Sequence, residues 1–402
     1  MGNKNTNIKV IEKINNYKLI YQIKNERCIT SFAVLRNNKI MLTFKGGIIK
    51  IFGFVENIDK KNLNKIELIE IINIEEEEYC FNYGIELQNG DLAVCSEDAT
   101  LKIIKIILKK NEIKEIENKI SNNNIEDNFN DNEKKKYIII QKVNLGNDPI
   151  YIIKEFSNKE LVLGCWNHIL IFVKLPIINK YELINKIFIN DRTFSLIELS
   201  PGEIVSSQCY SKTLTMYNMN NYEINTIKNI ESNENPNIIC KYNNQNDIIF
   251  VAYDKGINIV SIINKCLMQK IITKEIITSL CPFISHIKKK NKNEFFCLIC
   301  GIKKRVYGQN VNYNYNFIQI LFNLEEKNKI KINYINKKDE KNNKILDYKL
   351  SEKELVHYYD IASIENSLFL NNSILNVNKK DQMLISIGSE DKTLKIWELT
   401  KK

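Results

Sequence analysis

The chain has 402 residues, 44% of them hydrophobic and 26% charged, a composition that is typical of a folded globular protein and excludes a largely disordered one. Its net charge of +10 comes from lysines spread along the chain, with only four arginines, so it indicates a solvated surface rather than a clustered nucleic-acid-binding face. No apolar run approaches the ~18 residues of a membrane-spanning helix, and no secretory signal is recognisable.

The predicted elements, taken in chain order, form a repeated hairpin. Each copy contains two apolar-rich strands, here called b and c, around a polar turn. The two most similar copies read GDLAVCSEDATLKIIKI at 90–106 and DQMLISIGSEDKTLKIWEL at 381–399. The weaker copies lie at 38–54, 159–175, 202–219, 246–263, and 293–301 together with 316–324, where the turn is expanded.

Two further strands complete each unit. A strand a precedes b and ends in a turn rich in Asn, Gly or Pro, as in YGIELQNGD, because these residues suit a tight hairpin. A more polar strand d follows c, as in KYELINKIFI. Successive b–c turns are marked by Asp98, Asn167, Ser211 and Asp254, which are separated by 69, 44 and 43 residues. The two shorter intervals match the ~40–45 residues of a four-stranded propeller blade.

Polar segments lengthen some of these units. The segment 109–136 lies between strands c and d of the second unit and has almost no aromatic residues. Such a segment cannot bury enough apolar surface to fold alone. We therefore predict disordered insertions at about 109–136, 325–355 and 365–381.

The repeat resembles the WD-repeat family over essentially the whole chain. SEDKTLKIWEL places Trp397 and Glu398 at the family's Trp-Asp position, and SEDATLKI is the next-best match. The resemblance implies an all-β, seven-bladed β-propeller that forms a single domain over 1–402. The family's His–Asp–Ser/Thr–Trp network is not expected in its usual form, because no Gly-His dipeptide precedes any strand a. Asp98, Asp254 and Asp391 are instead predicted to cap the b–c turns.

The two ends of the chain predict how the ring closes. The seventh copy has no strand d after it, whereas NNYKLIYQIKN at 15–25 is a lone d-like strand with nothing before it to pair with. Pairing of residues 15–25 with the last blade, at about 356–399, completes that blade. It also covers a strand edge that would otherwise favour aggregation.

No catalytic constellation is recognisable in the sequence. His168, His286 and His357 have no metal-ligand spacing, and neither a phosphate-binding glycine loop nor a Gly-x-Ser-x-Gly motif occurs. The ten cysteines are expected to be reduced and mostly buried. We therefore predict that the chain is not an enzyme and that it binds no cofactor and no metal.

The b–c turns and the d–a connections are expected to share one edge of the blades, called here the b–c rim, which WD-repeat propellers commonly use for partners. Aromatic residues at consecutive turns, which would anchor a protein or peptide partner, are Trp166, Tyr210 and Tyr253. The expanded turn KKRVYGQNVNYNYN adds Arg305, Tyr307, Tyr313 and Tyr315. A d–a connection carries Glu75, Glu76, Glu77 and Glu78, which could attract a basic segment. The alternative is that each ring packs back onto its own blade.

The N-terminal residues MGNKNT fit the pattern for N-myristoylation at Gly2. One acyl chain binds a membrane only weakly. We therefore expect a cytoplasmic protein, with a nuclear location as an alternative and peripheral membrane association only if Gly2 is lipidated.

Together these patterns predict a non-catalytic scaffold or adaptor that presents its b–c rim to protein partners within a multiprotein complex. The first alternative is an RNA-associated propeller that uses its dispersed lysines and the basic segments 288–293 and 327–344. A propeller enzyme with a pair of carboxylates in its central channel is the third interpretation.

Overall fold

The structure of the chain is a computed structural model. It describes residues 15–36, 39–55, 65–73, 80–106, 137–189, 191–208, 213–219, 223–227, 236, 238–241, 248–253, 256–272, 276–285, 295–306, 312–323, 332–334, 361–366, 382–388 and 392–401. Within these residues every regular element is a β-strand, and the strands form seven four-stranded antiparallel sheets.

Each of the first three sheets uses four consecutive strands. Sheet 1 contains β2 Ile29–Val34, β3 Ile40–Phe44, β4 Ile48–Val55 and β5 Lys65–Asn73. Sheet 2 contains β6 Phe81–Glu86, β7 Leu92–Ser96, β8 Thr100–Ile106 and β9 Tyr137–Asn144. Sheet 3 contains β10 Ile150–Glu155, β11 Leu161–Cys165, β12 His168–Leu175 and β13 Lys180–Phe188. In each sheet the strands follow the predicted order a, b, c, d.

The next three sheets repeat this order. Sheet 4 contains β14 Thr193–Ser200, β15 Glu203–Gln208, β16 Leu214–Asn218 and β17 Glu223–Ile227. Sheet 5 contains β18 Ile238–Lys241, β19 Ile248–Tyr253, β20 Gly256–Ser261 and β21 Cys266–Ile272. Sheet 6 contains β22 Ile276–Ser285, β23 Phe295–Val306, β24 Asn312–Asn323 and β25 Ile332–Tyr334.

Sheet 7 joins the two ends of the described chain. It contains β26 Ile361–Asn366, β27 Gln382–Gly388, β28 Thr393–Lys401 and, beside β28, β1 Asn15–Lys24. The register places Leu19 opposite Trp397 and Lys24 opposite Thr393. The backbone N–H of Asn25 also donates a hydrogen bond to the carbonyl of Lys392 at 2.7 Å. The pairing predicted between residues 15–25 and the last strand is therefore observed.

The second strands of sheets 1 to 3 explain why these sheets stack face to face with their neighbours. Every residue of β3, β7 and β11 is buried, although successive side chains of a strand point to opposite faces. Both faces of these strands must therefore be covered by neighbouring sheets. The apolar clusters show the same arrangement, since Ala93 of sheet 2 packs in one cluster with Leu163 of sheet 3. Each large apolar side chain buried in this way stabilises the fold by about 1.5–3 kcal/mol.

The first strands of consecutive sheets contact one another from β2 through β26, and β26 contacts β2. An apolar cluster joins the first and last sheets, because Phe32 and Leu42 of sheet 1 pack with Leu394 and Ile396 of sheet 7. The first strands therefore lie at the edge where consecutive sheets contact one another, and the fourth strands lie at the opposite edge of each sheet.

The edge opposite the b–c rim, called here the a–b rim, carries hydrogen bonds between sheets. Three glutamates near the ends of strands a accept a backbone N–H from the a–b turn of the preceding sheet. Glu86 accepts from Arg36 at 2.6 Å, Glu198 accepts from Ser157 at 2.9 Å, and Glu155 accepts from Gln88. In sheet 5 the corresponding residue, Lys241, instead donates its Nζ to the carbonyl of Leu199.

Parts of the chain differ from the prediction. The predicted disordered segment 325–355 contains β25, which pairs with β24 and completes sheet 6. Strand β26 extends to Asn366 and so overlaps the start of the predicted insertion at 365–381. The segment 109–136 lies outside the described residues. Strands β22 and β26, the first strands of sheets 6 and 7, were not predicted as individual strands.

Candidate partner-binding site on the b–c rim

The b–c turns of the first three sheets are fixed by the same backbone hydrogen bond. In each sheet the first residue after strand b donates its N–H to the carbonyl of the residue just before strand a. Lys45 donates to Cys28 at 3.2 Å, Glu97 donates to Cys80 at 3.0 Å, and Trp166 donates to Pro149 at 3.1 Å. The b–c turns and d–a connections therefore meet at one rim, and Lys45, Glu97 and Trp166 hold equivalent positions on it.

Trp166 is the exposed aromatic residue of the b–c turn in sheet 3. Its side chain is 36% exposed. The guanidinium carbon of Arg192, which lies in the d–a connection to sheet 4, is 3.4 Å from the centroid of the Trp166 ring. A cation over an aromatic face contributes about 0.5–1 kcal/mol where the pair is exposed to solvent. The stacked arginine thus holds the indole in one orientation.

Two further aromatic residues extend this surface onto the first strands of sheets 3 and 4. Tyr151 and Phe194 are the second residues of β10 and β14, and each lies at a β-bulge. A bulge leaves one residue outside the regular pairing and redirects its side chain. The Tyr151 ring contacts Phe194 edge-on at 5.2 Å and lies 6.3 Å from Trp166. Phe194 is 37% exposed. Tyr151, Trp166, Arg192 and Phe194 are called the aromatic cluster below.

A polar pair supports the outer side of the same turn. Nδ1 of His168, at the start of β12, hydrogen-bonds Oδ2 of Asp148 in the d–a connection. The other carboxylate oxygen accepts the backbone N–H of Asn167 at 3.1 Å. The His168 ring also contacts Phe188 edge-on at 5.4 Å, and Phe188 is 65% exposed. These hydrogen bonds join Asn167 and His168 to the d–a connection and so fix the turn between β11 and β12.

The predicted caps of the b–c turns are confirmed where the structure describes them. Oδ1 of Asp98 accepts the backbone N–H of Thr100 at 2.9 Å and its hydroxyl at 2.6 Å. Between them Ala99 has a left-handed φ of +62°, and Lys392 has a φ of +61° at the same place in the SEDK turn. Asp254 and Asp391 lie outside the described residues.

Tyr253 does not belong to the exposed surface. Its side chain is 3% exposed and packs among the apolar residues of sheets 4 and 5. Tyr253 is the last residue of β19, a position that holds the buried Cys165 in sheet 3. The position equivalent to Trp166 comes one residue later, and a shift of one residue turns a side chain to the other face. For Tyr253 the structure therefore shows the alternative in which the ring packs onto its own blade.

The expanded turn of sheet 6 is partly regular structure. Strands β23 and β24 continue through KKRV and NYNYN, with Arg305 opposite Tyr313 and Lys303 opposite Tyr315. Strand β22 pairs with β23 only as far as Lys303, which lies opposite Ile276 of β22. Some of the predicted rim residues lie outside the described part of the chain, namely Tyr210, Tyr307, Glu75, Glu76, Glu77 and Glu78. The lipidation candidate Gly2 also lies outside it.

Cys80 and Cys165, which lie near this rim, are poor nucleophiles. Cys28, Cys80, Cys95, Cys165 and Cys240 have free thiols. Burial raises the pKa of the Cys165 thiol well above its usual value, and the nearby carboxylate of Asp148 raises it further. Burial also raises the pKa of the Cys80 thiol. Because the thiolate is the reactive form, these side chains serve packing rather than chemistry. No group of three potential metal ligands is found among the described side chains.

Comparison with solved structures shows the fold. The chain is similar to a chain in the crystal structure of the mitotic checkpoint complex, with a TM-score of 0.58 and 10% identity over 100% of both chains. It is similar to the β-propeller domain of Cps50 (Swd1) from Myceliophteria thermophila, with a TM-score of 0.55 and 8% identity over 96% of this chain and 100% of that chain. At such identities the likeness shows a β-propeller fold and no more.

A third similar structure is Raptor of Chaetomium thermophilum, with a TM-score of 0.58 and 10% identity. The match covers 97% of this chain but only 30% of Raptor. No protein-family model matches the chain, and no curated protein matches its sequence. No helix in the described part of the chain is long and apolar enough to cross a membrane.

Proposed function

We propose that the chain is a WD-repeat protein whose seven sheets close into a seven-bladed ring, with β1 as the fourth strand of the last blade. The pairing of β1 with β28 and the contact between β26 and β2 support this closure. The apolar cluster shared by sheets 1 and 7 supports it as well. The SEDATLKI and SEDKTLKIWEL repeats, with matching left-handed residues at Ala99 and Lys392, support the family.

The ring acts as a non-catalytic scaffold that binds a protein or peptide partner at the aromatic cluster. The observation that carries this proposal is the exposure of Trp166, on a hydrogen-bonded turn, together with that of Phe194 at the bulge of β14. Tryptophan, tyrosine and arginine are the residues that most often supply the binding energy of protein interfaces. One of the similar chains comes from the crystal structure of the mitotic checkpoint complex, which is consistent with a role in assembly.

The mechanism is rigid display of the turn. Trp166 is held through its backbone N–H by Pro149, and its ring is held by Arg192. Asn167 is held by the carboxylate of Asp148. Ordering an interfacial side chain on binding costs about 0.5–1.5 kcal/mol, and a turn fixed before binding avoids much of that cost. The repeated blades thus provide a stable frame, and the turn residues provide specificity.

The test is affinity purification of the full chain from cells that express it, with partners quantified by mass spectrometry. Combined Trp166→Ala and Phe194→Ala substitutions should lower partner recovery at least tenfold, because truncating interface anchors typically costs about 2 kcal/mol or more. The matched control is Ile177→Ala, since Ile177 is 98% exposed but lies in the turn between β12 and β13 on the opposite rim. If the variant with Trp166→Ala and Phe194→Ala recovers as much partner as the Ile177→Ala control, binding at the aromatic cluster is refuted.

A propeller enzyme is the less favoured function. Near the ends of strands a, Glu86, Glu155 and Glu198 each accept a hydrogen bond from the neighbouring sheet. These carboxylates therefore serve contacts between sheets. A pair of carboxylates converging in the central channel would favour the enzyme.

Further parts of the proposal concern residues beyond the described ranges. Tyr210 and Tyr307 are proposed to extend the protein-binding rim, and Glu75, Glu76, Glu77 and Glu78 are proposed to attract a basic segment of a partner. A cytoplasmic location is proposed, with weak membrane association if Gly2 is myristoylated. The intact mass of the native protein checks the last point, since an unmodified N-terminus contradicts it.

A further inference from the structure

The turns between strands c and d, called the c–d turns below, carry exposed apolar side chains that the scaffold role leaves unexplained. The structure describes two of these turns in full, residues 176–179 in sheet 3 and residues 262–265 in sheet 5. Ile177 is 98% exposed in the first turn, and Ile263 is 76% exposed in the second. Both side chains therefore protrude from the surface, because contact with neighbouring groups would cover more of them.

The two turns have the same sequence and are both fixed by hydrogen bonds. Residues 177–180 and residues 262–265 both read Ile-Ile-Asn-Lys. The backbone N–H of Asn179 and that of Lys265 each donate to a carbonyl at the start of the turn, at 2.8 and 3.2 Å. The same two residues have a left-handed φ, of +54° and +48°. Each turn therefore holds its exposed isoleucine in a defined position beside a lysine.

Both turns lie on the same side of the molecule. In an antiparallel sheet of consecutive strands, the c–d turns lie at the same ends of the strands as the a–b turns. The a–b rim is continuous from sheet 3 to sheet 5, because Glu198 of sheet 4 accepts the N–H of Ser157 and Lys241 of sheet 5 donates to the carbonyl of Leu199. The two exposed isoleucines therefore project from one side of three consecutive sheets, with sheet 4 between them.

The exposed charge around these turns is positive. The exposed charged residues at the described a–b and c–d turns of sheets 3 to 5 are Lys159, Lys180 and Lys265. The nearby carboxylates are less exposed, since Glu198 and Glu203 accept hydrogen bonds from serine hydroxyls and one oxygen of Glu160 is buried. The exposed carboxylate of Glu182 lies on β13, beyond the turn. This side of the molecule is therefore complementary to an anionic surface.

We propose that the c–d turns dock the molecule on a membrane surface that contains anionic lipids. Binding at a membrane interface strengthens with the apolar area that is buried and with the attraction between basic side chains and anionic headgroups. Ile177 and Ile263 supply the apolar area, and Lys180 and Lys265 supply the charge. This inference concerns the side opposite the aromatic cluster and stands whether or not a protein partner binds there. It does not depend on acylation of Gly2.

The shape and chemistry of the turns favour a membrane over a protein partner. The anchors of protein interfaces are mostly aromatic residues and arginine in well-packed pockets, and lysine is depleted there. The c–d turns instead present protruding aliphatic side chains beside lysines. A flat, fluid surface can contact both tips at once although sheet 4 separates them. The isoleucines would enter the boundary of the acyl chains, while the lysines stay among the headgroups.

The experiment measures co-sedimentation of the full chain with lipid vesicles, using protein whose intact mass shows an unmodified N-terminus. Vesicles of phosphatidylcholine with phosphatidylserine should bind the chain at least tenfold more tightly than vesicles of phosphatidylcholine alone. This binding should weaken when the salt concentration rises from about 0.1 M to 1 M, because salt screens the charges. Absence of binding to the anionic vesicles, or equal binding to both kinds, would overturn the proposal.

A matched pair of variants tests the isoleucines. Ile177→Ser with Ile263→Ser should lower the affinity for the anionic vesicles at least tenfold, because both apolar side chains leave the acyl boundary. The control is Ile184→Ser with Ile224→Ser, which removes two exposed isoleucines from the fourth strands β13 and β17 and should change the affinity little. If the turn variant binds vesicles as the control does but recovers less of a protein partner, the turns bind a protein and the proposal is wrong.

A second matched pair tests the lysines at constant net charge. Lys180→Glu with Lys265→Glu should lower the affinity for the anionic vesicles roughly tenfold or more. Lys142→Glu with Lys186→Glu makes the same change in charge at exposed positions of the fourth strands β9 and β13, and its effect should be clearly smaller. Equal losses for the two pairs would show adsorption by net charge alone and would contradict docking through the c–d turns.

Discussion

The two rims of the molecule are built differently. On the a–b rim the same kind of contact recurs between sheets, with a glutamate near the end of strand a accepting a backbone N–H of the preceding sheet. On the b–c rim the backbone is equally regular, but the side chains differ from sheet to sheet: the first turn residue is Lys45 in sheet 1, Glu97 in sheet 2 and Trp166 in sheet 3.

We infer from this difference that the a–b rim contributes mainly to stability and that the b–c rim is the part suited to recognition. Hydrogen bonds between sheets on the a–b rim involve charged acceptors, which contribute more than neutral ones. The b–c turns are closed by bonds within one sheet or to the adjoining connection, so that their side chains can vary without weakening the contacts between sheets. Substitutions on the a–b rim should therefore change stability, and substitutions at the aromatic cluster should change binding.

Among the substitutions that test this comparison, Glu198→Ala should have the largest effect on stability. Glu198 accepts both the backbone N–H and the hydroxyl of Ser157, across the boundary between sheets 3 and 4. Loss of these bonds should lower the free energy of unfolding by about 1–2 kcal/mol, toward the low end because the contact is exposed. Urea unfolding should show a lower midpoint with an unchanged slope.

Two measurements make this prediction decisive. Glu182→Ala is the control, since Glu182 is exposed on the outer strand β13, and its effect should stay within about 0.5 kcal/mol. Partner recovery by the Glu198→Ala variant should equal that of the unchanged protein once both are folded. If the Glu198→Ala variant were as stable as the unchanged protein but lost its partner, the a–b rim would serve binding rather than stability.

The repeat itself could be predicted from the sequence because its signal is local. Strands b and c are apolar runs around turns such as SEDA and SEDK, and the four-strand order of the first five sheets follows from them. The first strands of sheets 6 and 7 were harder to predict. Strand β22 contains Pro282, and its connection to β23 lacks a short Asn-Gly turn. The signal that marked the other strands a was therefore absent.

The site was predicted less completely, because its geometry depends on register. Tyr151 and Phe194 reach the aromatic cluster from β-bulges, and a bulge has no simple sequence signature. Tyr253 was misplaced because the end of β19 lies one residue later than the sequence suggested. The link between Asp148 and His168 joins residues 20 positions apart, so no local sequence pattern indicates it. The structure places Trp166 in a short turn between β11 and β12.

The smallest expected effect is the pH dependence of Glu155→Gln on the a–b rim. Burial raises the pKa of the Glu155 carboxyl above its usual value of 4.5, although the bond from Gln88 opposes this shift. A carboxyl with a raised pKa in the folded state favours folding below its unfolded pKa, and this contribution is lost as the pH rises through the folded pKa. The unchanged protein should therefore lose stability relative to Glu155→Gln as the pH rises above about 4.5.

Glutamine is the informative replacement because it keeps an oxygen that accepts the N–H of Gln88 but cannot ionise. The difference in urea midpoint between the two proteins should grow with pH and then level off once Glu155 is fully ionised. Glu182→Gln, which removes a carboxylate at an exposed position of β13, is the matched control. If the unchanged protein instead gains stability relative to Glu155→Gln as the pH rises, the hydrogen bond to the ionised carboxylate outweighs its burial. The a–b rim would then depend on charge more strongly than its packing indicates.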